Sequence, residues 1–251
     1  MHFYNPVRDL LKHMRNANDS SLIGDCFLER GNSLIFLGAP GAGKSKSAQA
    51  LCGSLATGTA FVDMKPARAL RVLYVQAEDT IDDLAESFQG FVKHTLDGDK
   101  DSIELLEKNL IIVTVVGHSG PEFLEWLEKA CERHKPDVVV VDPLLAFIGC
   151  DLVDQKSVTR FLRGLLHPIL IKHNCGFIGV HHKRKGEEGS ELDQGLGSTE
   201  FSAFFRGAIS LSVSKARHQE LTMKVVKRQR QLGWTDADGN PTDTKYLLKG
   251  Q

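Results

Sequence analysis

The chain has 251 residues, 41% of them hydrophobic and 25% charged, and its 31 Lys and Arg against 32 Asp and Glu give a formal net charge of -1. That apolar content and near-zero charge exclude intrinsic disorder. They also argue against a uniformly basic coat for nucleic acid while leaving room for a local basic patch. The most apolar stretch, Val138 to Cys150, is too short for a membrane span and contains Asp142 and Pro143.

The N-terminal MHFYNPVRDLLKHMRN lacks the apolar core of a signal peptide. The five cysteines (Cys26, Cys52, Cys131, Cys150, Cys175) form no CxxC pair and have no His partner at zinc spacing. Such a scattered set fits core thiols in a reducing cytoplasm, the expected compartment, better than a disulfide framework.

Taken in chain order, residues 1–30 read as a lead-in helix and loop. Ser33 to Leu37 is a buried strand, followed by a glycine-rich turn. Lys44 to Leu55 is a helix with Ala48, Leu51, Cys52 and Leu55 on one face. Arg71 to Gln76 is a second strand, Thr80 to Lys93 an amphipathic helix and Leu110 to Val116 a third strand. Pro121 to His134 is a helix with its proline near a favourable first-turn position. Asp137 to Val141 is a continuous β-branched run, as expected for a strand covered on both faces.

Ser157 to His173 is helical but interrupted by Pro168, and Cys175 to Val180 is the next strand. The alternation implies βαβ units and a parallel sheet. Beyond Val180 the pattern changes: Ala208 to Val213 and Leu221 to Lys227 look like an antiparallel hairpin. The tail, residues 231–251, carries a turn at Asp236 to Pro241 and one short strand. The expected fold class is α/β, with a mostly parallel central sheet flanked by helices and an antiparallel C-terminal hairpin. One domain over residues 31–230 holds most of the chain.

Gly38-Ala39-Pro40-Gly41-Ala42-Gly43-Lys44-Ser45 matches GxxxxGK[ST] in full, after a strand and before a helix. Glycines let backbone N–H groups turn toward phosphates, which then sit at a positive helix terminus. Lys44 would reach the outer phosphates, the Ser45 hydroxyl would ligate Mg2+, and Lys46 is grouped with the nucleotide-binding residues. The bland alternative is a glycine-rich strand-to-helix turn with an incidental Lys-Ser. An acidic residue ending a buried strand should complete the metal site, and Asp142 at the end of Val138 to Val141 supplies it. Alone, it would read as an ordinary strand-end carboxylate.

A base must polarise the attacking water. In one branch of the phosphate-loop enzymes it is a Glu beside the metal Asp, but here Pro143 follows Asp142. Glu78, in Leu73-Tyr74-Val75-Gln76-Ala77-Glu78-Asp79, ends the strand after the phosphate-loop helix. If that strand lies beside the phosphate loop, Glu78 reaches the water. The competing role is a helix cap, which Asp79 or Thr80 also satisfies. His181 and His182 end the strand Gly176 to Val180. Adjacent strand residues face opposite ways, so a shared metal is not expected. His182 is assigned as a γ-phosphate sensor against a purely structural role.

GAPGAGKS, YVQAED, VVVVDP and GVHHKRKG, in this order, resemble the RecA-like P-loop ATPase family, most closely the RepA-type hexameric replicative helicases of plasmids and phages. The resemblance covers roughly Gly31 to Arg230. It implies a RecA-like fold, ATP and Mg2+ as cofactors, and hydrolysis between neighbouring subunits of a hexameric ring. It also implies contact with single-stranded DNA through channel loops.

In that family an arginine from the next subunit completes the site. Arg206 occupies a position similar to the RepA-type finger, while Arg228 and Arg230 resemble the Lys-x-Arg pair of related helicases. Each is otherwise a solvated surface base.

The loop Lys183 to Gly197 resembles the DNA-binding loop of RecA-like proteins. Lys183, Arg184 and Lys185 would contact phosphates, yet Glu187, Glu188, Glu191 and Asp193 make its net charge slightly negative. No aromatic is interleaved for base stacking, so a solvated loop stands beside the DNA reading. Gly149 to Lys156 is a second, weaker candidate. A filament-forming recombination or strand-annealing ATPase shares all these features. So does a regulatory switch, like the clock-type RecA relatives, that needs no DNA. The larger replicative helicases carry a separate N-terminal domain, which the short N-terminal segment here would not provide.

Overall fold

Side chains along each central strand alternate between two apolar cores, one on either face of a single sheet. The computed structural model describes residues 20–182, 199–213 and 220–248. The strands, in chain order, are β1 (Ser21–Ile23), β2 (Leu28–Glu29), β3 (Ser33–Gly38), β4 (Val72–Gln76), β5 (Leu110–Thr114), β6 (Val138–Asp142), β7 (Gly176–His182), β8 (Gly207–Val213), β9 (Glu220–Lys227) and β10 (Thr244–Leu248). The helices are α1 (Lys44–Thr57), α2 (Ile81–His94), α3 (Lys100–Asn109), α4 (Gly120–His134), α5 (Leu145–Ile148), α6 (Gln155–Thr159), α7 (His167–Lys172) and α8 (Thr199–Phe204).

Eight strands form the main sheet in the order β10-β9-β8-β3-β7-β6-β4-β5. From β8 through β3, β7, β6, β4 and β5 every pairing is parallel, whereas β8–β9 and β9–β10 are antiparallel. The expected mixed sheet and hairpin are therefore present, and this is an α/β fold of the RecA-like type. In β6, Val138 and Val140 pack toward α1, while Val139 and Val141 pack toward α4. All four are fully buried, each contributing about 1.5–3 kcal/mol from burial. This is why the run is continuously β-branched.

Sequence and structure differ in several places. The described part of the lead-in is a two-stranded antiparallel ribbon, β1–β2, rather than a loop. Helix α3 was not assigned from the sequence; Asp99 caps it by accepting from the Ser102 N–H. Pro168 does not interrupt the helix before β7. The segment Arg160–Leu166 between α6 and α7 widens into a π-helix, and Pro168 falls in the first turn of α7. A proline lacks an N–H to donate, and a local π adjustment accommodates it without ending the helix.

The strand carrying Glu78 is also not beside the phosphate-loop strand, because β7 and β6 lie between β3 and β4. Among the described residues, no helix is long and apolar enough to cross a membrane. All five cysteines are free thiols.

Candidate nucleotide-binding site

The parallel strands end together, and this shared edge gathers the functional residues. Gly38 pairs in register with His182, and Gln76 pairs with both Asp142 and Thr114. The loop between β3 and α1 follows Gly38. A side chain at Gly38 would meet the Leu211 carbonyl at 2.7 Å, so only glycine fits where β3 passes β8. Gly43 starts α1 with φ at 81, in the left-handed region, and no side chain caps the helix. The first-turn N–H groups of α1 are thus open to an anion, with no side-chain acceptor at the cap.

Lys44 is buried at 4% exposure, and its ammonium donates to the Ala39 carbonyl at 2.8 Å, folding over its own loop. Burial lowers its pKa, while the charges of Asp142 and Glu78 oppose the fall. Ser45 hydrogen-bonds the Asp142 carboxylate. Two hard oxygen donors therefore meet at the loop, the donor type that Mg2+ takes. Asp142 is 5% exposed, and burial pushes its pKa up to about 6. Hydrogen bonds from Ser45 and Tyr74 restrain the rise, and the charges of Asp79 and Glu78 add to it.

Glu78 is exposed, and its charge is felt by Lys44, Asp142 and His182 alike. Its charge acts on the site although β4 is three strands from β3. The cap of α2 belongs to other residues: Thr80 accepts from the Asp83 N–H, and the Asp83 carboxylate accepts from the Thr80 N–H. Glu78 is free of that duty.

The histidines part as strand geometry requires. His181 is buried and packs 5.2 Å from Phe201. His182 faces the α1 side, with its pKa lowered first by burial and then by the Lys44 charge, against the pull of Glu78. The Lys46 ammonium turns away from the loop onto α2, bonding Ser87 Oγ and the Asp83 carbonyl and lying 3.7 Å from Glu86.

The three arginines sit at the opposite end of the sheet. The Arg206 N–H donates to the Ser33 carbonyl, and β9 runs back to the same end, pairing Lys227 with Ala208. One length of β3, about 20 Å, separates them from the phosphate loop of the same chain. Arg206 and Arg230 are exposed. Arg228 instead donates to the Cys26 carbonyl at 2.9 Å and pairs with Glu29 at 3.5 Å. Lys227 beside them has its pKa lowered by burial first and then by the charges of Arg206, Arg228 and Arg163.

Lys183, Arg184, Lys185 and the rest of the loop to Gly197 lie outside the described residues. Gly149 to Lys156 is described and leads from α5 into α6, where Asp154 caps the helix by accepting from Lys156 and Ser157 N–H groups.

Three features escaped the sequence reading. Tyr74 and Gln49 join α1 to Asp142, and a buried Tyr and Gln in otherwise apolar elements are themselves a signal, since such groups need partners. The Gln76 side chain braces the turn bearing Glu78: its Oε1 accepts from the Asp79 N–H at 2.7 Å, and its Nε2 donates to the Asp79 carbonyl at 3.0 Å and to Thr114. A cavity of about 780 Å³ opens from Gly41–Gly43 along Ser47 and Ala50 of α1 toward Phe61, Leu221 and Tyr246.

A family profile described as an AAA domain matches residues 6–188. No curated protein matches the chain. Given the phosphate loop, the buried Asp142 behind it and a match over most of its length, the chain belongs to the AAA-domain family, as a P-loop ATPase of RecA-like fold.

Proposed function

We propose that the chain is an ATP-driven motor that works on single-stranded DNA as a closed ring of identical subunits, a replicative helicase of the RepA type. The observation that carries this reading is the separation of the phosphate loop from the exposed Arg206 at opposite ends of the sheet. An arginine about 20 Å from its own loop cannot complete that site, so any ATP site it completes would be in another copy.

In this reading the loop N–H groups and Lys44 bind the phosphates, and the nucleoside occupies the cavity along α1. Ser45 and Asp142 would hold Mg2+, which would supply charge neutralisation on the phosphates. Glu78 orients and deprotonates water, His182 senses the γ-phosphate beside Gly38, and Arg206 of a neighbouring copy stabilises the transferring group.

The deciding experiment is ATP turnover with and without single-stranded DNA, read beside particle size. Stimulation by DNA in a six-subunit ring is the expected result. Stimulation with open filaments favours the recombination or annealing activity. No stimulation by any DNA favours an ATP-dependent switch and defeats the motor reading.

A further inference from the structure

We propose that Tyr74, oriented by Gln49, is a positioning residue for Asp142. This inference rests on the phosphate-loop ATPase reading and concerns how the metal carboxylate is aimed. Tyr74 is fully buried in β4, on the face that meets α1. Its hydroxyl donates to Asp142 Oδ2 at 3.0 Å and accepts from Gln49 Nε2 at 3.3 Å. A phenol has one proton. Because the Gln49 amide donates into the oxygen, that proton is committed to Asp142.

Gln49 is itself fixed, since its Nε2 also donates to Asp79 Oδ2 at 2.6 Å. Turning the amide over would aim its carbonyl at the Asp79 carboxylate, so the hydrogen-bond pattern selects one orientation. That orientation leaves Gln49 Oε1 buried without a partner, a desolvation cost that an apolar residue of similar size would avoid. The chain thus spends a buried polar network on one carboxylate.

The result is mechanical. Ser45 bonds the same carboxylate from the loop side, so Asp142 is pinned between the start of α1 and β4. Metal ligands held by such outer partners lose affinity when the partner is removed, even though the partner never touches the metal.

The test is ADP binding by calorimetry in Mg2+ and in EDTA, for the wild-type chain, Tyr74→Phe and Gln49→Met, with unfolding temperatures measured alongside. Tyr74→Phe keeps the ring and removes only the donor. It should cut the Mg2+ enhancement of ADP affinity by about tenfold and leave the affinity in EDTA unchanged. Gln49→Met should act in the same direction and less strongly.

A purely structural role would lower the unfolding temperature and leave the Mg2+ enhancement at the wild-type value, and that result overturns the proposal. If Tyr74→Phe does not fold, an unaltered enhancement in Gln49→Met overturns it equally. Absence of ADP binding by the wild-type chain in either condition would instead defeat the nucleotide-site reading beneath it.

Discussion

Asp142 shows what the site costs its own chain. Folding takes this carboxylate out of water, and two hydrogen bonds only partly compensate, so its pKa rises from the ordinary 3.8 to about 6. The native state then binds the proton more tightly than the unfolded state. Stability from this group is therefore greatest at low pH and is lost as pH rises from 3.8 through about 6. At about 1.4 kcal/mol per unit, the loss is of order 3 kcal/mol.

Urea unfolding of the metal-free wild-type chain and of Asp142→Asn across that window should show the wild type losing stability relative to the variant by this order as pH rises; parallel profiles would contradict the burial argument. The Gln76 brace gives a second prediction. Gln76→Leu removes the two side-chain bonds that brace Asp79 and the one that anchors them to Thr114, so the turn bearing Glu78 loosens. ATP turnover should fall, toward the 10²–10⁴-fold range expected of a lost base, while nucleotide affinity by calorimetry stays at the wild-type value.

At the scale of elements, the fold rests on how α1 seats against the sheet and against α2. Gly53 lies where α1 meets Phe91 of α2, and a Cβ there would stand 2.6 Å from the ring. Helix propensity favours Gly53→Ala by about 1 kcal/mol, but overpacking costs about 1–3 kcal/mol and wins here because the ring is itself buried. Denaturant unfolding should show net destabilisation, relieved by the second change Phe91→Leu.

The same elements mark what could be read from the sequence. Val138 to Val141 and the loop Gly38 to Ser45 announce themselves because a strand buried on both faces and a phosphate cradle each demand a fixed local composition. Helix α3 does not, since only Leu106 of its ten residues is buried and its start depends on the local Asp99–Ser102 bond. The place of β4 is not legible in the sequence because strand order is set by crossovers and packing, not by adjacency in the chain. Tyr74 and Gln49 were missed for a related reason. Their contact exists only once a strand register and a helix face have been fixed together.

For the whole molecule, the near-zero net charge and the position of the arginines lead to one expectation. A chain with charge -1 offers little long-range attraction to a nucleic acid. A DNA motor built from it depends on assembly to concentrate basic loops, and the same assembly would bring Arg206 of one copy to the phosphate loop of the next. Removing such an arginine costs 10³–10⁵ in turnover for related phosphoryl-transfer sites.

The most direct test mixes two variants. Lys44→Ala lacks the loop lysine and Arg206→Ala lacks the proposed finger, so each alone should hydrolyse ATP at a small fraction of the wild-type rate. Mixed, they form interfaces where an intact loop faces an intact arginine, and turnover should rise above that of either preparation. Wild-type turnover by Arg206→Ala alone, or a mixture no more active than its parts, would contradict a site shared between copies.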